Sequence, residues 1–188
     1  MPKLNKTKFA ILGVLTLKPG SGYDIKKFCD QSISMFWNEN FGHIYPVLKK
    51  LEAENLVIKS KEENGGRPAR YIFSITQAGR EALAAWLVEP VEQTPARLEL
   101  LLKLFFAKNI SPEPILNELE RMLKKHQTYH ENCQLIEKKL VEKEKGKHDD
   151  GYPYWLAAIR YGIYDSEFKI KWVKETIQTI KNFTFQEH

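Results

Sequence analysis

The segment that most constrains the fold of this chain is residues 42–75, where a helical pattern is followed at once by two strand patterns. In GHIYPVLKKLEAENL, the apolar residues Ile44, Val47, Leu48 and Leu51 recur at the spacing of one buried helical face. The next run, LVIKSKEENGGRPARYIFSI, contains two predicted strands, residues 57–61 and 70–75, joined by a glycine-rich loop. The chain is therefore expected to place the exposed face of a helix beside a hairpin.

The outer face of this predicted helix carries side chains suited to nucleic acid. His43 and Lys49 can hydrogen-bond to purine edges, whereas Tyr45 and Pro46 can touch a thymine methyl group or a phosphate. A helix with such a face, followed by a basic hairpin, is the arrangement of a winged helix-turn-helix. The segment therefore predicts insertion of this helix into a DNA major groove.

The loop of the hairpin, NGGRPAR, supplies the basic residues of the predicted wing. Arg67 and Arg70 lie at or beside its tip, where they can reach the DNA backbone or minor groove. Gly65 and Gly66 allow a tight turn and a close approach. A basic hairpin without a nucleic-acid partner is the alternative.

A second helix is predicted to begin near residue 22 and to end near residue 30. Ser21 and Asp24 form an S-x-x-D capping box at its start. Free backbone N–H groups and the helix dipole favour a phosphate there, and Gly22, Tyr23 and Lys26 lie close by. Ser21, Gly22, Tyr23 and Lys26 are therefore predicted phosphate contacts; an ordinary capped helix with a solvated lysine is the alternative.

Composition and charge agree with a module that binds a polyanion. The chain has 29 Lys and Arg against 24 Asp and Glu, a formal net charge of +5. Residues 1–89 hold 13 of these basic and 9 of these acidic residues, so most of the excess lies in the first half. Such an asymmetry is typical of a nucleic-acid-binding domain at that end of the chain.

Other classes of function find little support in the sequence. No stretch approaches the roughly 18–20 apolar residues of a membrane span, and the N-terminus lacks a signal-peptide core. Cys29 and Cys133 are too few for a disulfide framework, which favours a cytoplasmic location. The P-loop, G-x-S-x-G and H-E-x-x-H motifs do not occur. We therefore expect no enzyme activity, no cofactor and no membrane partner.

The second half of the chain is predicted to be entirely helical. Residues 98–106 are apolar on nearly all sides and should be enclosed. A long helix follows from Ser111 and Pro112 to about residue 145, and a last helix covers about residues 154–182. The last helix carries an isoleucine-rich stripe and an aromatic stripe, and a helix with two apolar faces requires two partners. We therefore expect a homodimer, although the sequence leaves open which stripe forms the interface. The residues assigned to dimerisation are Ile163, Ile170, Trp172, Val173 and Ile177.

The aromatic residues near the last helix could instead line an effector pocket. Phe106, Tyr154 and Tyr161 could hold a small aromatic ligand, and Arg160 could pair with its carboxylate. Packing in a dimer core is the alternative use of these aromatic residues.

Three residues of the long helix have a spacing that a metal site could use. His126, His130 and Cys133 follow an i, i+4, i+7 pattern along one side of the helix. They also continue the apolar seam of that helix, and no fourth ligand lies nearby in the sequence. Packing in the seam is therefore expected, and no metal is predicted.

With these elements in place, the chain resembles the PadR family of bacterial transcriptional regulators. The resemblance rests on ILGVLTLKPGSGYDIKKF, the connector with Trp37, GHIYPVLKKLEAENLV, GRPARYIFSIT and QAGREALAAWL, in that order. The layout of the second half is similar to that of the larger, phenolic-acid-responsive subfamily. The resemblance implies a mainly α fold with a small β-ribbon. Residues 1–90 would form a winged helix-turn-helix, and residues 91–188 an all-α dimerisation and effector-binding domain.

The function expected on these grounds is transcription regulation by a homodimeric repressor. Its two copies of the third helix would enter successive major grooves of a near-palindromic operator, about 34 Å apart. By resemblance, a small aromatic effector would release the DNA. The alternative is a protein–protein adaptor that uses the winged helix as a scaffold. Binding to duplex DNA that weakens sharply with salt would distinguish the regulator from the adaptor.

Overall fold

The structure, a computed structural model, describes residues 6–37, 44–62, 70–92, 97–147 and 149–184. It divides into two compact units, Met1–Gln93 and Thr94–His188. The described residues are mostly helical and contain a single two-stranded antiparallel sheet, which confirms the predicted fold class. No helix in these ranges is both long and apolar enough to cross a membrane.

The first unit contains four α-helices and the sheet. In chain order its elements are α1 (Thr7–Leu17), α2 (Gly22–Gln31), a short 3-10 helix (Ile33–Met35), α3 (Ile44–Ala53), β1 (Val57–Glu62), β2 (Arg70–Ile75) and α4 (Gln77–Leu87). Its core is built from apolar residues that recur at helical spacing. These include Ile11 and Leu15 of α1, Ile25 of α2 and Leu48 and Leu51 of α3, all of them buried.

Local sequence signals explain where the helices of this unit begin. Ser21 and Asp24 form the predicted capping box of α2. The Thr76 hydroxyl accepts a 3.0 Å hydrogen bond from the backbone N–H of Gly79 and so caps α4. Because α3 begins at Ile44, Pro46 lies in its first turn, where a missing backbone N–H breaks no helical hydrogen bond.

The two strands of the wing form the sheet, and one of them also pairs with the residue before α2. β1 and β2 pair in register from Val57 opposite Ile75 to Glu62 opposite Arg70. Phe73 of β2 also exchanges two backbone hydrogen bonds with Gly20, at 2.9 and 3.1 Å. These bonds hold the residue just before the α2 cap against the wing.

The second unit is built on two long antiparallel helices. It contains α5 (Glu99–Phe105), a short 3-10 helix (Ala107–Asn109), α6 (Glu113–Glu144) and α7 (Tyr152–Thr184). The long helix and the last helix are therefore present as predicted. Ile115 and Leu119 of α6 pack with Val173 of α7 in the core, and Leu100 and Leu104 of α5 lie against it.

The prediction that residues 98–106 are enclosed is wrong for this chain by itself. No residue of α5 is buried, and Leu102 and Phe105 are 62% and 81% exposed. Only Leu100 and Leu104 pack on the core of the unit, because a seven-residue helix can offer it little more than one face. The other apolar face of α5 is left uncovered.

Two of the predicted dimerisation residues are buried within the chain itself. Val173 is fully buried against α6, and Ile163 is 7% exposed. A side chain that is already buried within its own chain has no surface to give to a second copy. Trp172 and Ile177 pack, half-buried, on the same core cluster, and Ile170 is also half-buried. The isoleucine-rich stripe of α7 therefore serves mainly the internal core.

The aromatic stripe of α7 is the face that stays uncovered in the single chain. Trp172, which the sequence also assigns to this stripe, is half-buried on the core cluster. The exposed aromatic residues on this side of α7 are each 64–77% exposed: Tyr154, Tyr161, Tyr164 and Phe168. Together they form an apolar surface of the kind that monomeric proteins rarely leave exposed.

Candidate nucleic-acid interface

An open groove of about 590 Å³ lies where the start of α2, the outer face of α3 and the wing meet. Several elements far apart in the sequence supply its walls, because the Gly20–Phe73 pairing and the shared core hold them together. Six residues predicted from the sequence to contact DNA line this groove: Ser21, Gly22, Tyr23, Tyr45, Lys49 and Arg70.

Of the other four predicted DNA contacts, two lie outside the groove and two lie outside the described residues. Pro46 is exposed in the first turn of α3. Lys26 is half-exposed and forms an ion pair with Asp30 one turn along α2. His43 and Arg67 lie outside the residues that the structure describes. The roles of all ten residues in DNA binding stay predictions.

The start of α2 is held by a closed set of hydrogen bonds. The Asp24 carboxylate accepts bonds from the Ser21 backbone N–H at 2.9 Å and from the Ser21 hydroxyl at 2.6 Å. The Ser21 hydroxyl oxygen in turn accepts the backbone N–H of Asp24 at 3.2 Å. These side-chain and backbone bonds from Ser21, followed by the positive charges of Arg70 and Lys18, lower the pKa of Asp24.

Tyr45 projects from α3 over the first turn of α2. A Cβ atom added to Gly22 would lie 2.7 Å from Cε1 and 2.8 Å from Cζ of Tyr45, closer than real Cβ contacts. Glycine is therefore required at this position for the ring to rest on the α2 backbone. Tyr45 is still 63% exposed, so much of the ring faces the solvent.

Four further residues that line the groove were not predicted from the sequence, among them the buried Phe73 of β2. Lys59 of β1 and Tyr71 of β2 line it from the wing, and Glu52 lines it from α3. The Lys59 ammonium lies 3.8 Å from the centroid of the Tyr71 ring, a cation–π contact. Only the exposed positions of the two strands could have signalled them, because nothing local distinguishes Lys59 from any other solvated strand lysine.

The residues that line the groove give it a positive balance. Lys49, Lys59 and Arg70 contribute three positive charges, and Glu52 contributes one negative charge. Exposed Tyr23 and Tyr45 alternate with these cations on the surface. A cationic groove beside a helix face and a hairpin has the charge and shape to receive a nucleic-acid backbone.

The predicted effector residues belong to the second unit. Phe106, Tyr154 and Tyr161 are 54%, 77% and 68% exposed, and the Arg160 Nε lies 2.7 Å from a carboxylate oxygen of Glu137. A cavity of about 480 Å³ in this unit is lined by other residues of α6 and α7, such as His130. The effector assignment therefore stays a prediction, and the charge of Arg160 is already met by Glu137.

The polar residues of α6 that could have suggested a metal lie in the seam with α7. The His130 Nδ1 lies 3.0 Å from the buried Ser166 hydroxyl. Cys133 is fully buried, and burial raises the pKa of its thiol. Burial also lowers the pKa of His126. The packing of these three residues agrees with a structural role in the seam.

Comparisons with known proteins bear directly on both units. Residues 11–85 match the sequence model of the Transcriptional regulator PadR-like family, and residues 96–181 match that of the Virulence activator alpha C-term family. The negative transcriptional regulator PadR of Bacillus subtilis is 29% identical over 136 residues, which cover 71% of this chain and 74% of that protein.

Solved structures show the same fold over nearly the whole chain. The structure of the Vibrio cholerae virulence activator AphA is similar with a TM-score of 0.76 at 26% identity, covering 94% of this chain and 98% of that one. Bacillus subtilis PadR in complex with operator DNA is similar with a TM-score of 0.79 at 22% identity, covering 95% and 99%. The same protein has also been solved in complex with p-coumaric acid, with a TM-score of 0.72 at 22% identity, covering 96% and 98%.

These matches agree with the resemblance seen in the motifs of the first half and the layout of the second. The relatives are transcriptional regulators, so the expectation that the chain is not an enzyme is confirmed. Residues 11–85 thus match the PadR-like family of transcriptional regulators, and the chain as a whole has the fold of solved structures of PadR and AphA.

Proposed function

We propose that this chain is a sequence-specific DNA-binding repressor that works as a homodimer. The observation that carries the proposal is the groove, in which the start of α2, the outer face of α3 and the wing bring Lys49, Lys59 and Arg70 together with exposed Tyr23 and Tyr45. The relative named a negative transcriptional regulator supports repression, and the similarity to operator-bound PadR supports DNA as the partner.

In the proposed complex, the outer face of α3 enters the major groove. Lys49 and Tyr45 are exposed on that face and reach base edges, whereas the first turn of α2 meets a phosphate. Contacts to phosphate fix the register of the protein, and contacts to bases supply its sequence preference. His43, Pro46, Lys26 and Arg67 are further proposed contacts around this surface.

The second unit would join two copies through the uncovered faces of its helices. The aromatic stripe of α7 and the outer face of α5 are both apolar and exposed, which supports a partner that covers them. A second copy of the same chain gives a two-fold arrangement with two copies of α3, as a near-palindromic operator requires. In this proposal residues 1–90 bind DNA and residues 91–188 dimerise. The protein would work in the cytoplasm, because the bacterial chromosome lies there.

A small aromatic acid is the proposed effector. The structure of Bacillus subtilis PadR with p-coumaric acid supports this class of ligand. Phe106, Tyr154, Tyr161 and Arg160 remain the proposed ligand contacts. A ligand that changes the dimer geometry by a few Å would spoil simultaneous docking of both copies of α3, and the DNA would be released.

Selection of duplexes from a random-sequence library by the purified chain tests the proposal. A repressor of this kind selects a near-palindrome, and its affinity for that duplex falls steeply as salt rises from about 50 to about 200 mM. A protein–protein adaptor would enrich no sequence and would bind duplex DNA weakly at every salt concentration.

The effector is tested separately with the selected duplex. A panel of phenolic acids is titrated into the protein–DNA complex, and dissociation is followed by fluorescence anisotropy. Release by at least one acid at a concentration that leaves the protein folded supports ligand control. If no acid changes the operator affinity, the ligand-controlled form of the proposal fails and DNA binding is unaffected.

A further inference from the structure

The charge of Arg70 is already engaged within the chain. Its Nε donates to the Glu62 carboxylate across the hairpin, and its Nη1 lies 3.7 Å from the Asp24 carboxylate at the start of α2. Two carboxylates thus surround one guanidinium, so the local sum of charge is negative. Arg70 in this state has little positive charge to offer a phosphate.

The contact between Arg70 and Asp24 lies at the end of α2 that is proposed to meet a phosphate. Asp24 caps α2, so its negative charge lies at the helix N-terminus where a phosphate would approach. An unshielded carboxylate there would repel the phosphate. Arg70 lies against that carboxylate and offsets its charge, and it also ties the wing to α2.

The positive charge of Lys59, unlike that of Arg70, is available to a phosphate. In the described part of the chain no carboxylate lies within ion-pair distance of Lys59, and its ammonium instead rests on the ring of Tyr71. The ring leaves the positive charge intact and restricts the side chain to the groove. Lys59 therefore keeps its positive charge available on the wing and is held in place before any ligand arrives.

We propose that Lys59, supported by Tyr71, is a phosphate-contacting cation of the wing, and that Arg70 is a positioning residue that shields Asp24. The inference rests on the proposed function, because it assigns roles within the same DNA-binding groove. The sequence suggested Arg70 as a contact to the DNA backbone or minor groove and did not single out Lys59. The phosphate contact is now assigned to Lys59, and Arg70 takes a positioning role.

The salt dependence of DNA binding distinguishes the two roles. With the duplex selected by the wild-type chain, Lys59→Ala should bind about fivefold more weakly at low salt and reduce the slope of log K against log salt by about 0.9, the value of one phosphate contact. Lys124→Ala, which removes the same charge from an exposed position of α6, is the control and should leave the slope unchanged.

Arg70 is tested against Asp24 in a double-mutant cycle. Arg70→Ala should weaken binding about tenfold in the wild-type background but only about twofold in the Asp24→Asn background, because the repelling charge is then absent. Its salt slope should remain close to the wild-type slope. Circular dichroism of each variant establishes that α2 and the wing remain folded.

The opposite pattern would overturn the inference. If Arg70→Ala costs the same factor in both backgrounds and lowers the salt slope by about 0.9, Arg70 contacts phosphate directly. A wild-type slope for Lys59→Ala would likewise remove Lys59 from the interface while leaving the proposed function intact. If the wild-type chain binds no duplex, both the inference and the proposed function are wrong.

Discussion

At the scale of single residues, the groove depends on the contact between Tyr45 and Gly22. The ring of Tyr45 rests where a side chain on residue 22 would be, and this contact connects α3 to the N-terminal end of α2. A small residue on one helix thus positions a large residue on the next. We expect this contact to contribute more to DNA affinity than to the free energy of unfolding, because Tyr45 is largely exposed.

Gly22→Ala should therefore separate binding from folding. The new methyl group would displace the Tyr45 ring into solvent, at a cost below about 1 kcal/mol in the free energy of unfolding. DNA affinity should fall, because Tyr45 no longer lies in the groove. Urea unfolding and a DNA titration of the same variant measure the two effects, and an unchanged affinity would show that the position of Tyr45 does not matter.

Gly79→Ala is the matched substitution with the opposite outcome. A Cβ atom at Gly79 would lie 2.2 Å from the backbone carbonyl oxygen of Leu56, which cannot swing away. Unfolding should become easier by about 1–3 kcal/mol, as in overpacked cores. A Gly79→Ala variant as stable as the wild type would contradict the close contact between α4 and Leu56 in the turn that follows α3.

Lys49 and Lys50 allow a test of the recognition face within one helix. Lys49→Ala should cost about 1–3 kcal/mol of binding free energy and relax the sequence preference, because Lys49 lines the groove. Lys50→Ala should have little effect, since Lys50 lies outside the groove and its Nζ forms an ion pair with Oε1 of Glu54 at 3.8 Å. Competition between matched and mismatched duplexes measures both, and equal losses for the two variants would refute this assignment of the α3 face.

At the scale of elements, the capping box sets the pH dependence of α2. The pKa of Asp24 is lowered in the folded chain, so its contribution to stability is complete above its ordinary value of 3.8 and is lost as the pH falls through the folded value. The stability advantage of the wild type over Asp24→Asn should therefore shrink as the pH falls below 3.8. A difference that stays constant over this range would mean that the Asp24 carboxylate is not held by Ser21.

The elements differ in how far their sequences predicted them. The spacing of Ile44, Val47, Leu48 and Leu51 identified the buried face of α3, and all four are buried, because the pattern within one helix is local information. The capping box of α2 and the cap of α4 were predictable for the same reason. Both depend only on residues three positions apart.

Contacts between distant elements were not predictable in this way. Arg70 meets Asp24 through the pairing of the wing with the α2 loop, which no local pattern encodes. The two stripes of α7 predicted two partners for this helix, but periodicity alone could not tell which stripe α6 would cover. The apolar character of α5 indicated burial without saying whether the covering surface belongs to the same chain.

At the scale of the whole molecule, a second copy is expected to cover the aromatic stripe of α7. Tyr164→Glu with Phe168→Glu should shift the protein to a monomer, because two charges would be buried in an apolar interface. Sedimentation analysis measures the change, with Gln134→Glu at an exposed position of α6 as the control. A double variant that remains dimeric would place the interface elsewhere.

Val173→Ala provides the contrast on the other side of the same helix. Val173 is fully buried against α6, so truncation should lower the free energy of unfolding by about 2 kcal/mol. The variant should remain dimeric at concentrations where it is folded. Loss of the dimer without loss of stability would reverse the roles of the two stripes.

The most direct measurement is a hydroxyl-radical footprint of the wild-type chain on its selected duplex. Two copies of α3 in successive major grooves should protect two patches on one face of the duplex, centred about 34 Å apart. The protection should disappear with Lys49→Ala under the same conditions. A single patch, a different spacing, or no protection even at low salt would contradict the claim that this groove, present in two copies, is the surface that binds DNA.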